Sequence, residues 1–85
     1  MSVVLCFGDS LTWGYDPGSG VRLAAADRWP NVMSASLGCE VTVLAEGLNG
    51  RTTSFDSPFR AMRSGAAMLP ALLETHAPVD VVVIM

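Results

Sequence analysis

The segment SVVLCFGDSLTWG, residues 2–14, decides how this chain folds. Ser2 to Phe7 is a nearly unbroken apolar run rich in valine. Such a run suits a strand buried on both faces; a strand with one wet face would alternate polar and apolar residues. Gly8-Asp9-Ser10-Leu11 then interrupts the run with a tight turn. The turn places a serine hydroxyl at the carboxyl end of the strand, where open α/β sheets present their chemistry.

The rest of the chain repeats the alternation of strand and helix. After a loop with its tip at Asp16-Pro17-Gly18-Ser19-Gly20, a helical pattern begins around Asp27. Trp29, Val32, Met33 and Leu37 recur at three- and four-residue steps; Asp27 is a candidate cap, Pro30 fits the first turn and Gly38 can end the helix. Glu40 to Ala45 reads as a second strand, leading into Glu46-Gly47-Leu48-Asn49-Gly50. A loop rich in Ser, Thr, Asp and Pro runs to about Pro58. Met68, Leu69, Leu72 and Leu73 mark a second helical face, with Pro70 either near its start or kinking it, and Ala77-Pro78 closing it. Val79 to Met85 reads as a third strand. The order β-α-β-α-β, with crossovers long enough for parallel pairing, predicts an α/β fold built on a parallel sheet. No repeat, low-complexity segment or linker divides it.

Composition sharpens this. Of 85 residues, 51% are hydrophobic and only 15% charged, which is apolar for so small a unit. The excess predicts part of a larger core, as does an apolar run still in progress at Val81 to Met85. The formal charge of −3 and the dispersal of Arg22, Arg28, Arg51, Arg60 and Arg63 argue against a nucleic-acid partner. No stretch is long enough to span a membrane. Met1-Ser2 leads straight into the first strand with no secretory signal pattern, so a cytoplasmic location is expected. Cys6 and Cys39 lack metal or redox spacing and are expected to be buried thiols; no metal or cofactor is expected.

Two positions carry the candidate chemistry. Ser10 can be a nucleophile once a base takes its proton, and its own backbone N–H can donate to the oxyanion that forms. Gly50, at the matching place after the second strand, lets the backbone approach a substrate oxygen and offer a second N–H. Each also has a plain reading. Gly-Asp-Ser makes an ordinary turn through its own side chains, and Asn49-Gly50 is a common turn pair. Trp13 and Tyr15 either line the near wall of a pocket or pack under the long loop.

Phe7-Gly8-Asp9-Ser10-Leu11-Thr12-Trp13-Gly14 resembles the first block of the SGNH (GDSL) hydrolases, and Gly47-Leu48-Asn49-Gly50-Arg51-Thr52-Thr53 resembles their second. Within that family the chain is similar to the bacterial arylesterase/acyltransferase branch, also through Glu46, Leu69-Pro70 and Thr75-His76. The resemblance implies a three-layer, flavodoxin-like parallel sheet, here only its first β-α-β-α-β portion, with strand order 2-1-3. It implies a serine esterase acting on small carboxylic esters, with acyl transfer to alcohols as a related outcome. Ser10 matches the nucleophile and first oxyanion donor, and Gly50 the second donor. Asp9 matches an acidic residue whose task is to hold the turn. Members of that branch form oligomers, so self-association is an expectation too.

Two blocks of the family pattern have no counterpart. Gly-x-Asn-Asp, which supplies an asparagine donor, and Asp-x-x-His, which supplies acid and base, do not occur in these 85 residues. The expectation is therefore the N-terminal portion of a single SGNH domain, residues 1–85, nearly inactive alone. His76, the sole histidine, is expected to play a surface or helix-end role. Asp56, Glu74 and Asp80 are expected to be solvated. Two rivals remain. A nucleotide-binding module suits β-α-β, but Gly18-Ser19-Gly20-Val21-Arg22-Leu23 lacks the third glycine of a dinucleotide fingerprint and does not directly join strand to helix. A non-catalytic, association-prone polypeptide would follow from an uncovered sheet edge.

Overall fold

The computed structural model describes residues 2–85; Met1, expected to lead into the first strand, lies outside them. The elements are β1 (Ser2–Gly8), α1 (Ser10–Trp13), α2 (Trp29–Leu37), β2 (Val41–Gly47), α3 (Gly65–His76) and β3 (Val81–Ile84). The three strands form one parallel sheet in the order β2-β1-β3. Val4 pairs with both Val43 and Val81, and Phe7 with both Glu46 and Ile84. As its apolar run predicts, β1 is the central strand. Val4, Leu5, Cys6 and Phe7 form the buried hydrophobic core among the described residues, while β3 remains mostly exposed.

Strand alternation assigns the helices to the two faces. Gly8 and Gly47 lie against α1, and Trp29 at the start of α2 donates from Nε1 to Thr12 Oγ1 at 3.2 Å, so α1 and α2 share one face. Phe7 points to the other, where Gly65 opens α3. The start of α3 is tied to the segment after β2: Gly65 N donates to Thr52 O at 2.9 Å and Ala66 N to Thr53 O at 2.8 Å. Two otherwise orphaned helix amides are thereby satisfied.

Several local expectations need correction. Asp27 does not cap α2; it lies in a short 3-10 turn (Ala25–Asp27), and Arg28 occupies the cap position without a side-chain bond. Pro30 fills the first turn as expected, and its fixed φ makes a side-chain cap less needed there. Of the two places the sequence left open for Pro70, the structure takes the one inside α3. Asp80 is not simply solvated: its carboxylate accepts from Val3 N at 2.7 Å, and its own N–H donates to Val3 O at 2.9 Å. This reciprocal pair fastens the entry of β3 to β1. Asp56 and Glu74 are exposed, as expected.

Cys6 is buried, but Cys39 is exposed, because it falls in the turn after α2 and not in the strand that follows. Burial also pushes the Cys6 thiol pKa up, which disfavours the reactive thiolate. One thiol of the folded protein should therefore react promptly with Ellman's reagent and the second only after unfolding. Prompt reaction of both would contradict this packing.

Candidate active site

Ser10 is the first residue of α1, two residues past Gly8, which with Gly47 forms the last pair of β1 and β2. Asp9 caps the helix: its Oδ1 accepts from Leu11 N at 3.0 Å, and its carbonyl accepts from Thr12 N and Trp13 N at 3.1 and 3.0 Å. Asp9 thus holds the turn. The first amides of a helix have no intrahelical partner, and no hydrogen bond engages the Ser10 N–H among the described residues.

Gly50 lies in the turn after β2 with φ +78°, a left-handed conformation that favours glycine. Two arginines brace this turn. Arg63 Nε donates to Asn49 O at 2.8 Å, and Arg60 Nη1 donates to the same oxygen at 3.3 Å. Ser10 and Gly50 line one open cleft of about 480 Å³. Tyr15, Asn49, Ser57, Phe59 and Arg60 complete its lining. Of the two aromatic residues left open by the sequence, Tyr15 therefore belongs to the cleft wall. Trp13 instead stacks under Arg22, whose guanidinium carbon lies 4.5 Å from the ring centroid.

A second cleft of about 450 Å³ lies on the α3 side, with Phe7, Asp9, Arg51, Leu69 and Ile84 among its lining residues. Arg51 is held in the wall of this second cleft. Its guanidinium carbon is 4.0 Å from the Phe7 ring centroid, and Nη1 donates to Gly8 O at 3.2 Å and to Glu46 O at 2.6 Å. Burial lowers the Arg51 pKa, the Glu46 charge opposes that, and Arg63 adds to it. Arginine remains a cation regardless. Arg51 Nε and Asn49 Oδ1 are buried without a hydrogen-bond partner among the described residues.

His76 ends α3 as expected, but it is not a free surface group. Its Nε2 lies 2.8 Å from Glu46 Oε2, with both side chains about three-quarters buried. Among the described residues, no imidazole or carboxylate is hydrogen-bonded to the Ser10 hydroxyl, and no group of three or more His, Cys, Asp or Glu gathers in metal-ligand fashion. Sequence reading singled out Ser10, Gly50 and Asp9. It missed the bracing by Arg51, Arg60 and Arg63, which looked merely dispersed. The one available signal was the position of Arg51, directly after the glycine turn.

A serine turn and a glycine turn thus leave adjacent parallel strands into one cleft, at the carboxyl ends of the strands where open α/β sheets present their chemistry. The chain belongs to the GDSL-like lipase/acylhydrolase family, whose model matches residues 4–85. Among solved structures it is similar to a carbohydrate acetylesterase family member from Sinorhizobium meliloti, at 53% identity and a TM-score of 0.96, covering 100% of this chain and 40% of that one. It is also similar to the native aryl esterase of M. smegmatis, at 45% identity and a TM-score of 0.94, covering 100% and 41% respectively. No curated protein matches. The chain spans about 40% of the length of the solved structures to which it is similar.

Proposed function

We propose that the protein hydrolyses small carboxylic esters through an acyl-Ser10 intermediate. The observation that carries this is the convergence of Ser10 and Gly50 on one cleft from the ends of neighbouring strands. In the proposed reaction the Ser10 hydroxyl oxygen adds to the ester carbonyl carbon while a base removes its proton. The charge that develops on the carbonyl oxygen accepts hydrogen bonds from the Ser10 and Gly50 N–H groups. Collapse expels the alcohol with the proton and leaves acyl-Ser10. Water, deprotonated by the same base, then releases the acid; an alcohol in its place would yield a new ester. Serine chemistry of this kind requires neither metal nor cofactor. The names of the similar structures, an acetylesterase and an aryl esterase, support p-nitrophenyl acetate as a first substrate, since it is both an acetyl and an aryl ester. Acid-quenched mixtures of the protein, expressed from its full reading frame, with this ester should carry an acetyl group on the Ser10 peptide. Acetylation confined to other residues would sink the reading.

Among the described residues no imidazole or carboxylate is hydrogen-bonded to the Ser10 hydroxyl, and the sole histidine, His76, pairs with Glu46 at the end of α3. Prepared alone, these 85 residues are expected to show no sustained Ser10-dependent turnover, because loss of the triad histidine costs on the order of 10⁶ in a serine hydrolase. Self-association of the isolated segment is a second reading. It is favoured by the unpaired outer edge of β3, where Val81, Val82 and Ile84 are exposed. A monomeric, cooperatively folding segment would argue against it; steady turnover would overturn the inertness.

A further inference from the structure

We propose that Arg51 is the positioning residue that locks the Ser10 turn and the Gly50 turn into one register, so that their two N–H groups can meet a single substrate oxygen. The inference rests on the ester-hydrolase reading given above.

Arg51 directly follows Gly50, yet its side chain folds back onto the sheet. One nitrogen, Nη1, donates to the carbonyl of Gly8 at 3.2 Å and to that of Glu46 at 2.6 Å. Gly8 is the residue from which the Asp9-Ser10 turn departs, and Glu46 is the penultimate residue of β2, just before the Asn49-Gly50 turn. A single planar cation therefore grips the base of each turn. The Gly8 carbonyl also accepts from Leu48 N at 3.1 Å, so both of its lone pairs are engaged across the two loops.

The guanidinium is itself fixed from several sides. One face stacks on Phe7, and Nη2 lies 4.0 Å from Met68 Sδ on α3. The one carboxylate that could draw it away, that of Glu46, is held by His76 at 2.8 Å. Among the described residues no arginine pairs with a carboxylate, and Arg51 spends its Nη1 hydrogens on backbone rather than on a side chain. A lysine ammonium could bridge two carbonyls, but it has neither the flat face that stacks on Phe7 nor the second nitrogen beside Met68 that fix the guanidinium in place.

Function follows from tolerance. Oxyanion donors must stay within about 0.5 Å of productive geometry. Freeing the Gly8 and Glu46 peptide units would let the two turns drift independently. That drift would weaken transition-state stabilisation while leaving the substrate-contacting side chains in place. The expected signature is a fall in kcat with little change in KM.

The test uses the protein expressed from its full reading frame, with Arg51→Met and Arg51→Lys, assayed on p-nitrophenyl acetate below the melting point of each variant. Arg51→Met should lower kcat about 10²-fold, the scale of losing one oxyanion donor, with KM within about threefold. Arg51→Lys, which keeps the charge but not the planar grip, should recover no more than about tenfold of that loss. In ¹H–¹⁵N spectra of Arg51→Lys, the Ser10 and Gly50 amide signals should both move while those of α2 stay. Full kcat in a folded Arg51→Lys, or unmoved Ser10 and Gly50 amides, overturns the proposal; if Arg51→Met does not fold, Arg51→Lys decides. A wild-type protein without Ser10-dependent turnover would defeat the hydrolase reading instead, and the amide signals would still decide whether Arg51 couples the turns.

Discussion

Ser10→Ala, in the protein expressed from its full reading frame, is expected to lower kcat on p-nitrophenyl acetate by about 10⁴- to 10⁶-fold with little effect on stability. The size follows from the chemistry. Without Oγ no acyl-enzyme forms, and only direct attack by water remains. The backbone N–H groups of residue 10 and Gly50 survive the substitution, so weak oxyanion stabilisation persists. Folding should be unaffected, because the turn is held by the Asp9 carboxylate on Leu11 N and not by the Ser10 hydroxyl. Ser10 also begins α1, and alanine is a good helix former. Circular dichroism and melting temperature beside the kinetics separate the two effects. Retention of more than a tenth of wild-type kcat would mean that the nucleophile is elsewhere.

The second large effect is expected in stability. Gly47→Ala should destabilise the protein by about 3 kcal/mol or more, read as a fall in the urea midpoint. A Cβ at position 47 would come within 2.6 Å of the Thr12 carbonyl carbon and 2.7 Å of Trp13 Cα, and closer still to Trp13 N. All three are backbone atoms of α1, so no side-chain rotation can relieve the clash. Either β2 or α1 must move, and α1 begins with Ser10. Gly50→Ala is the contrast. There the nearest atom is Arg60 Cδ at 3.5 Å, an ordinary contact, and the penalty is only that of a left-handed backbone, about 1–2 kcal/mol. One glycine is required for space and the other for conformation. A Gly47→Ala variant as stable as Gly50→Ala would contradict the close packing of α1 on β2.

Loss of Ser10 removes the reacting atom, whereas loss of the Gly47 space displaces the element that carries it. The two outcomes therefore test different links. The first concerns chemistry at a correctly placed turn; the second concerns what places the turn.

Much of this architecture was legible in the chain because strand burial leaves a direct trace. The unbroken apolar run at Val3 to Phe7 suits a strand covered on both faces, and β1 is central. The Gly8-Asp9-Ser10 and Asn49-Gly50 turns were legible for a similar reason: turn chemistry is local, acting within two or three residues. Where local signals misled, a competing local choice had won. Pro30 opened α2 without help from Asp27, and the Cys39 turn ended before β2 began.

By itself, then, the sequence determined the parallel α/β frame and the two turns at its mouth, because periodicity and turn propensity are properties of neighbouring residues; the strand order came from the family resemblance, and the sheet β2-β1-β3 agrees with it. Only the tertiary structure decided what holds those turns together. Arg51 reaches 43 positions back to Gly8, His76 spans 30 to Glu46, and Asp80 spans 77 to Val3. No spacing rule encodes such pairs. They exist because parallel strands bring together segments that a helix keeps far apart along the chain, and because a buried guanidinium or carboxylate must find whatever partners the fold leaves within reach.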